Sequence, residues 1–349
     1  MAFFVYRGSA GMTNSPLQFE PHPLLRNPHV MTLFPRCWPR RGLLASIPAE
    51  IRLFRVAKDT HLLGYCHWQR DPKHHGTVLL LHGLEGCSES HYVHGIGRKA
   101  WRAGFNVIRL NQRNCGGTEH LTPTLYHCGL SQDLREVVAE LSAHDGLAAI
   151  WAIGYSMGGN LVLKMAGEVR SELPALRGIL AVCPNIDPAV CISALERPTN
   201  WAYQRHFLKR LKARLRRKVA LFPGKFDESR LTGIHTLRKF DEVYTAPDGG
   251  YKSAEDYYDR AGARHVLAAI QVPTVIITAQ DDPFIPYRMF ECAAIQSNRW
   301  ISLWAPTHGG HCGFVQHPRP EEDVYWAENR LVECLVKEAN GPERSCRRA

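Results

Sequence analysis

The sequence predicts an α/β fold with a mostly parallel central sheet and helices on both faces. Three observations point to it. Short uncharged apolar runs recur, such as Thr77-Val78-Leu79-Leu80-Leu81 and Leu147-Ala148-Ala149-Ile150-Trp151-Ala152-Ile153, as expected of strands buried on both sides. Stretches with apolar residues at helical spacing alternate with them, which implies βα units and a parallel sheet. One of these runs passes through Gly154-Tyr155-Ser156-Met157-Gly158-Gly159 straight into a helical stretch with apolar positions 161, 162, 165, 166 and 169.

Taken in order, the chain opens with 1–12, which lack the charged, apolar and small-residue layout of a secretory leader. Residues 13–45 are rich in proline and arginine, and prolines this dense argue against a long helix. The expectation is an extended arm, 1–45, lying over one domain, 46–349. Segments 51–56 and 62–68 flank the turn signal Lys58-Asp59-Thr60 and predict a hairpin. Strands are then expected at 77–81, 107–110, 147–153 and 178–182, with helices at 93–103 and 132–144 between them. The alternation breaks at about 188–262, a helical, basic and aromatic stretch read as a lid inserted over the active edge of the sheet. It resumes with a strand at 274–278, a helix near 289–296, a strand at 301–304 and a helix at 321–337. The tail 341–348 is expected to fray.

Composition narrows the classes. With 45% hydrophobic and 22% charged residues the chain has ample core for a globular domain. No apolar run is long enough to cross a bilayer as a helix. The eleven cysteines are scattered without a C-x-x-C pair, which fits free thiols in a reducing compartment and a cytoplasmic location. The net charge of +10 owes much to 205–218, which carry eight Lys or Arg. Apolar residues three and four apart in that segment predict an amphipathic helix. A solvated helix packed on the protein is the plainer explanation, and peripheral contact with a lipid surface is the functional one. No reading motif accompanies the charge, so a nucleic-acid partner is not expected.

Strand, tight turn through a serine, then helix is the setting of a nucleophile elbow, with Ser156 Oγ exposed at the tip. The alternative is a glycine-rich turn with a spectator serine, but both flanks suit the elbow. An activated serine needs a base and a group to orient that base. Strand 274–278 is followed by Asp281-Asp282-Pro283-Phe284-Ile285-Pro286, and strand 301–304 by His308-Gly309-Gly310-His311. Asp282 stands four residues before Pro286, the usual form for the acid in this position, so it is preferred to Asp281 and to Asp187 after strand 178–182. Asp281 is expected to cap the turn. His311 is preferred to His308 because Gly309-Gly310 permit a tight loop presenting its ring. A zinc site at His308-x-x-His311 lacks accompanying ligands. Two backbone N–H groups, of Leu84 in the turn His82-Gly83-Leu84-Glu85-Gly86 and of Met157, are the candidate oxyanion hole.

These residues resemble an α/β-hydrolase, and more narrowly the YheT-like branch, related to the membrane-anchored abhydrolase-domain proteins of animals. The likeness runs through Leu25-Arg26-Asn27-Pro28-His29, the turn 82–86, Gly154 to Asn160, Asp256-Tyr257-Tyr258, Asp281-Asp282-Pro283-Phe284 and His308-Gly309-Gly310-His311. Gly262 and Asn114-Cys115-Gly116-Gly117 depart from the branch's more familiar residues, and no counterpart of the anchoring helix of the animal relatives is expected. The resemblance implies a cofactor-free serine esterase acting on small-molecule esters of short- or medium-chain acyl groups. An acyltransferase, a phospholipid-directed lipase and a non-catalytic binding protein are the alternatives.

Overall fold

The computed structural model describes residues 18–37, 40 and 42–341. The expectations for the N-terminal leader and for most of the frayed tail lie outside the described residues.

Eight strands form one sheet: β1 (Glu50–Ala57), β2 (Thr60–His67), β3 (Thr77–Leu81), β4 (Asn106–Leu110), β5 (Ile150–Tyr155), β6 (Leu176–Val182), β7 (Thr274–Ile277) and β8 (Ile301–Trp304). Their spatial order is β1-β2-β4-β3-β5-β6-β7-β8. β1 and β2 are the expected antiparallel hairpin, and β2 joins β4 antiparallel. All later pairings are parallel. β3, β4 and β5 are buried at every position, which explains apolar runs without alternation. At the centre Leu79 lies between Ile108 and Ala152.

The helices of eight residues or more among the described residues are α1 (Pro28–Cys37), α2 (His91–Arg102), α3 (Ser131–Ala143), α4 (Met157–Val169), α5 (Pro188–Leu195), α6 (Trp201–Leu221), α7 (Ala254–Ala261) and α8 (Trp326–Ala339). β3, β5, β6, β7 and β8 run side by side in one direction, so the loops that follow them gather at one edge. α5, α6 and α7 fill the stretch between β6 and β7, where no strand interrupts them.

Three local expectations are corrected. The N-terminal arm is not extended throughout, because α1 occupies ten of its residues. Pro28 opens the helix, where a missing N–H costs nothing. Asn27 Oδ1 caps it by accepting from His29 N (2.9 Å) and Val30 N (3.2 Å), and Pro35 falls in the last turn. Phe19, Leu25 and Met31 of this stretch are buried in the main core. The helix expected near 289–296 is two separate turns, Tyr287–Phe290 and Ala293–Gln296. The final helix starts at Trp326 and not at 321, because the bridges Val315↔Tyr325 and Arg319↔Glu322 hold the preceding residues extended.

Candidate active site

The elbow is built by close approach. A Cβ on Gly154 would lie 2.2 Å from Gly158 O, so only glycine lets β5 meet α4 here. Ser156 sits between them at φ 53°, ψ −118°, a conformation that costs a non-glycine residue energy and marks functional sites. Its N–H donates to Val182 O at the end of β6 (2.8 Å). Met157 is the first residue of α4, so its N–H is among the donors a helix start leaves unpaired.

The turn after β3 lies against the serine. A Cβ on Gly83 would come within 3.0 Å of Ser156 Cβ. His82 is fully buried; its Nδ1–H donates to Gly83 O (2.8 Å) and its Nε2 accepts from Gln112 N (3.2 Å). Burial lowers its pKa to about 4, so it is a neutral brace. Gly83 N donates to Tyr92 Oη (3.0 Å), while the Leu84 N–H bonds to no described residue.

Glu85 anchors this turn, at φ 57°. Its N–H donates to Tyr126 Oη (3.1 Å), and that hydroxyl donates to the Glu85 carboxylate (2.6 Å). Arg214 Nη2 (2.9 Å) and Arg210 Nε (3.3 Å) approach the other carboxylate oxygen from α6. Burial pushes Glu85 toward its neutral form, but Arg214 overrides it and holds the pKa below the ordinary carboxylate value. Sequence reasoning missed this role of α6. The helix turns part of its charge inward: Arg214 and Lys218 are buried, and Lys218 Nζ donates to Glu119 O (3.0 Å) and to Thr122 O. Arg205, Lys209, Arg216 and Arg217 remain exposed. Helical periodicity finds the apolar stripe but cannot tell an inward arginine from an outward one.

Asp282 and His311 meet. Asp282 Oδ1 accepts from Phe284 N and Ile285 N (both 3.0 Å), which fixes the carboxylate. Its Oδ2 pairs with His311 Nδ1 at 2.8 Å, with the aspartate side chain wholly buried. Burial works against charging the ring, yet the Asp282 carboxylate outweighs it and raises the His311 pKa above its ordinary value. The Phe284 ring lies 4.1 Å from the imidazole, centre to centre. His311 N donates to Thr32 Oγ1 of α1 (2.8 Å), and Thr32 in turn donates to Pro28 O (2.6 Å). The N-terminal helix therefore holds the histidine loop, which the sequence offered no local signal for. Ser156 is partly exposed, and its Oγ makes no hydrogen bond to a described residue.

The rejected candidates are occupied otherwise. His308 pairs with Asp281 (3.2 Å), which also accepts from Gly310 N (2.9 Å) and so shapes the loop. Asp187 caps α5 through Val190 N (3.3 Å) and is ion-paired with Arg264 (2.5 Å). One group of three close metal-type donors exists among the described residues: Cys183, His311 and Cys312.

Ser156 and Met157 open into a cleft that is partly open to solvent. Its walls include Leu84, Ile192, Leu195, Phe207, Leu211 and Phe284, several of them from α5 and α6. No helix among the described residues is long and apolar enough to cross a membrane.

The family model for the alpha/beta hydrolase fold matches residues 76–318. YheT of Escherichia coli (strain K12), which carries the provisional name of an esterase, is 30% identical over 329 residues, covering 93% of this chain and 94% of that protein. Phospholipase ABHD3 of Mus musculus is 29% identical over 264 residues, 75% of this chain and 64% of that protein. Among solved structures, an esterase of Pyrococcus furiosus, Pf2001, superposes with a TM-score of 0.55 at 16% identity, covering 92% of this chain and 98% of that one. At that identity the likeness establishes the fold alone.

Proposed function

The chain belongs to the α/β-hydrolase fold family, in the branch of the Escherichia coli esterase-type protein YheT, and from that premise we propose that it is a serine esterase working through an acyl-enzyme on Ser156. His311 takes the Ser156 hydroxyl proton as the oxygen attacks the ester carbonyl. The tetrahedral intermediate places its negative oxygen at the N–H groups of Leu84 and Met157. His311 then passes the proton to the departing alcohol, and a water molecule, activated by the same ring, releases the acid. Asp282 keeps the tautomer that leaves Nε2 free and stabilises the imidazolium.

The observation that carries this reading is the Asp282–His311 contact at 2.8 Å, with the carboxylate locked by two backbone amides. A binding protein has no need for a carboxylate fixed behind an imidazole or for a serine strained at a strand-to-helix turn. The apolar cleft supports esters of short- or medium-chain acyl groups, with the helical stretch 188–262 as its lid. A fluorophosphonate probe should label the chain stoichiometrically on Ser156, and Ser156→Ala should abolish both labelling and ester hydrolysis. Labelling that persists in Ser156→Ala contradicts the assignment.

A second reading keeps the chemistry and changes the substrate to phospholipid, as the name of the Mus musculus relative suggests. In its favour Trp201 at the start of α6 is 59% exposed, beside the outward cations Arg205 and Lys209. Anionic liposomes should then raise hydrolysis of a phospholipid ester and bind the chain in flotation. A cytoplasmic setting accords with the ten unpaired cysteines among the described residues.

A further inference from the structure

Beside the histidine lie two thiols that the proposed reaction does not use. The ligand atoms of Cys183, His311 and Cys312 all lie within 4.8 Å of one another. Cys183 follows β6 and is fully buried; Cys312 follows His311 and is partly exposed. The two cysteines are already in register, since the Cys312 N–H points at Cys183 Sγ from 3.4 Å. Both residues hold positive φ, 45° and 60°, a backbone conformation uncommon for a non-glycine residue.

Two sulfurs and one imidazole are the soft donor set that selects zinc and its heavier congeners over magnesium or calcium. Three protein donors leave a fourth tetrahedral position open for water or an anion. Zinc–sulfur and zinc–nitrogen bonds of about 2.3 and 2.0 Å put these tetrahedral ligands roughly 3.5–3.8 Å apart. Closing the present spacing onto an ion needs side-chain movement of about 1 Å and no refolding.

We propose that Cys183, His311 and Cys312 form a site for a thiophilic divalent cation, Zn²⁺ or Cd²⁺, whose occupancy switches the esterase off. This rests on the reading of His311 as the base. Both sulfurs bind as thiolates, releasing their protons to solvent, and the imidazole contributes one nitrogen lone pair. If that nitrogen is Nδ1, Asp282 loses its partner. If it is Nε2, the proton acceptor for Ser156 is gone. Either way the histidine cannot serve the serine while the cation stays.

The test uses the whole chain, reduced with a phosphine and freed of metal. Cadmium chloride is titrated in while the ultraviolet thiolate-to-metal charge-transfer band is recorded, and ester hydrolysis is measured on the same samples before and after chelation. The band should saturate at about one equivalent of cadmium, as a single Cys₂His site requires. Hydrolysis should fall as the band grows and return with the chelator. Cys312→Ser and, separately, Cys183→Ala should weaken cadmium binding on the order of 10–100-fold or more, each variant's rate being compared with its own metal-free value. A missing band, a band unchanged in both variants, or saturation without loss of hydrolysis overturns the proposal. If the chain neither hydrolyses esters nor takes the fluorophosphonate, the esterase reading fails separately, and the band with its dependence on Cys312 still decides the cation site.

Discussion

Replacing Arg214 with methionine tests how α6 supports the turn that carries Leu84, the proposed oxyanion donor. Arg214 Nη2 lies 2.9 Å from the Glu85 carboxylate, and the two side chains are only 5% and 3% exposed. Arg214 also donates to Asn114 O and contacts Cys115 Sγ (3.1 Å). Removing one partner of a buried ion pair costs on the order of 3–5 kcal/mol, because the other charge stays buried without compensation. Glu85 would keep the Tyr126 hydroxyl at 2.6 Å and the half-exposed Arg210 at 3.3 Å, so the lower end, about 3 kcal/mol, applies. The assay is urea unfolding followed by tryptophan fluorescence. Arg214→Met should lose that stability, and Glu85→Gln/Arg214→Met should regain most of it. The pH dependence has a definite sign. Glu85 has a depressed pKa, so its contribution is present at neutral pH and lost as pH falls through the folded value. The gap between the native chain and Arg214→Met should therefore close on acidification. Because Glu85 follows Leu84 directly, turnover should also fall, toward the 10²–10³-fold typical of a lost oxyanion donor. A loss under about 1 kcal/mol, the range of a surface pair, or a double variant no more stable than the single one, refutes this account of the turn.

Asp282→Asn should lower kcat by about 10⁴-fold, while Asp281→Asn and Asp187→Asn do far less; steady-state kinetics on one ester checks the ranking, and the same holds for His311→Ala against His308→Ala. The Asp282 carboxylate raises the His311 pKa and the base must be neutral, so kcat/KM should rise with pH through a limb alkaline of the ordinary histidine value. In Asp282→Asn the residual limb should move to lower pH, and an unmoved limb would remove Asp282 from that role. Thr32→Val deletes the acceptor of the His311 N–H; it should cost about 1 kcal/mol in urea unfolding and roughly 10–100-fold in kcat by misplacing the ring. A stability loss without a kinetic one would make Thr32 a packing residue only.

The sheet was legible because its central strands are buried on both faces and read as continuous runs, and its helices repeat at 3.6 residues, both properties of contiguous text. The hairpin and the β5–α4 turn were legible for the same reason. What escaped the sequence depends on partners far apart in the chain. Thr32 meets the His311 backbone, and Arg214 meets Glu85, through tertiary packing that no window of a dozen residues contains. The arm around Pro28 failed differently: a proline counted as a helix breaker is harmless in a first turn capped by Asn27. In the candidate site the sequence proposes Ser156, Asp282 and His311 by their order along the chain, and the structure brings Asp282 and His311 into contact. The choice between Asp281 and Asp282 rests on which carboxylate each loop turns toward which ring, and the structure pairs each aspartate with a different histidine.

The central claim is that the acyl group passes through one hydroxyl. Protein quenched in acid during turnover of a slowly deacylating ester, then digested and analysed by mass spectrometry, tests it most directly. The acyl mass should sit on the peptide containing Ser156 and be absent from Ser156→Ala. Turnover that continues in Ser156→Ala, or an acyl group carried on another residue, would contradict it.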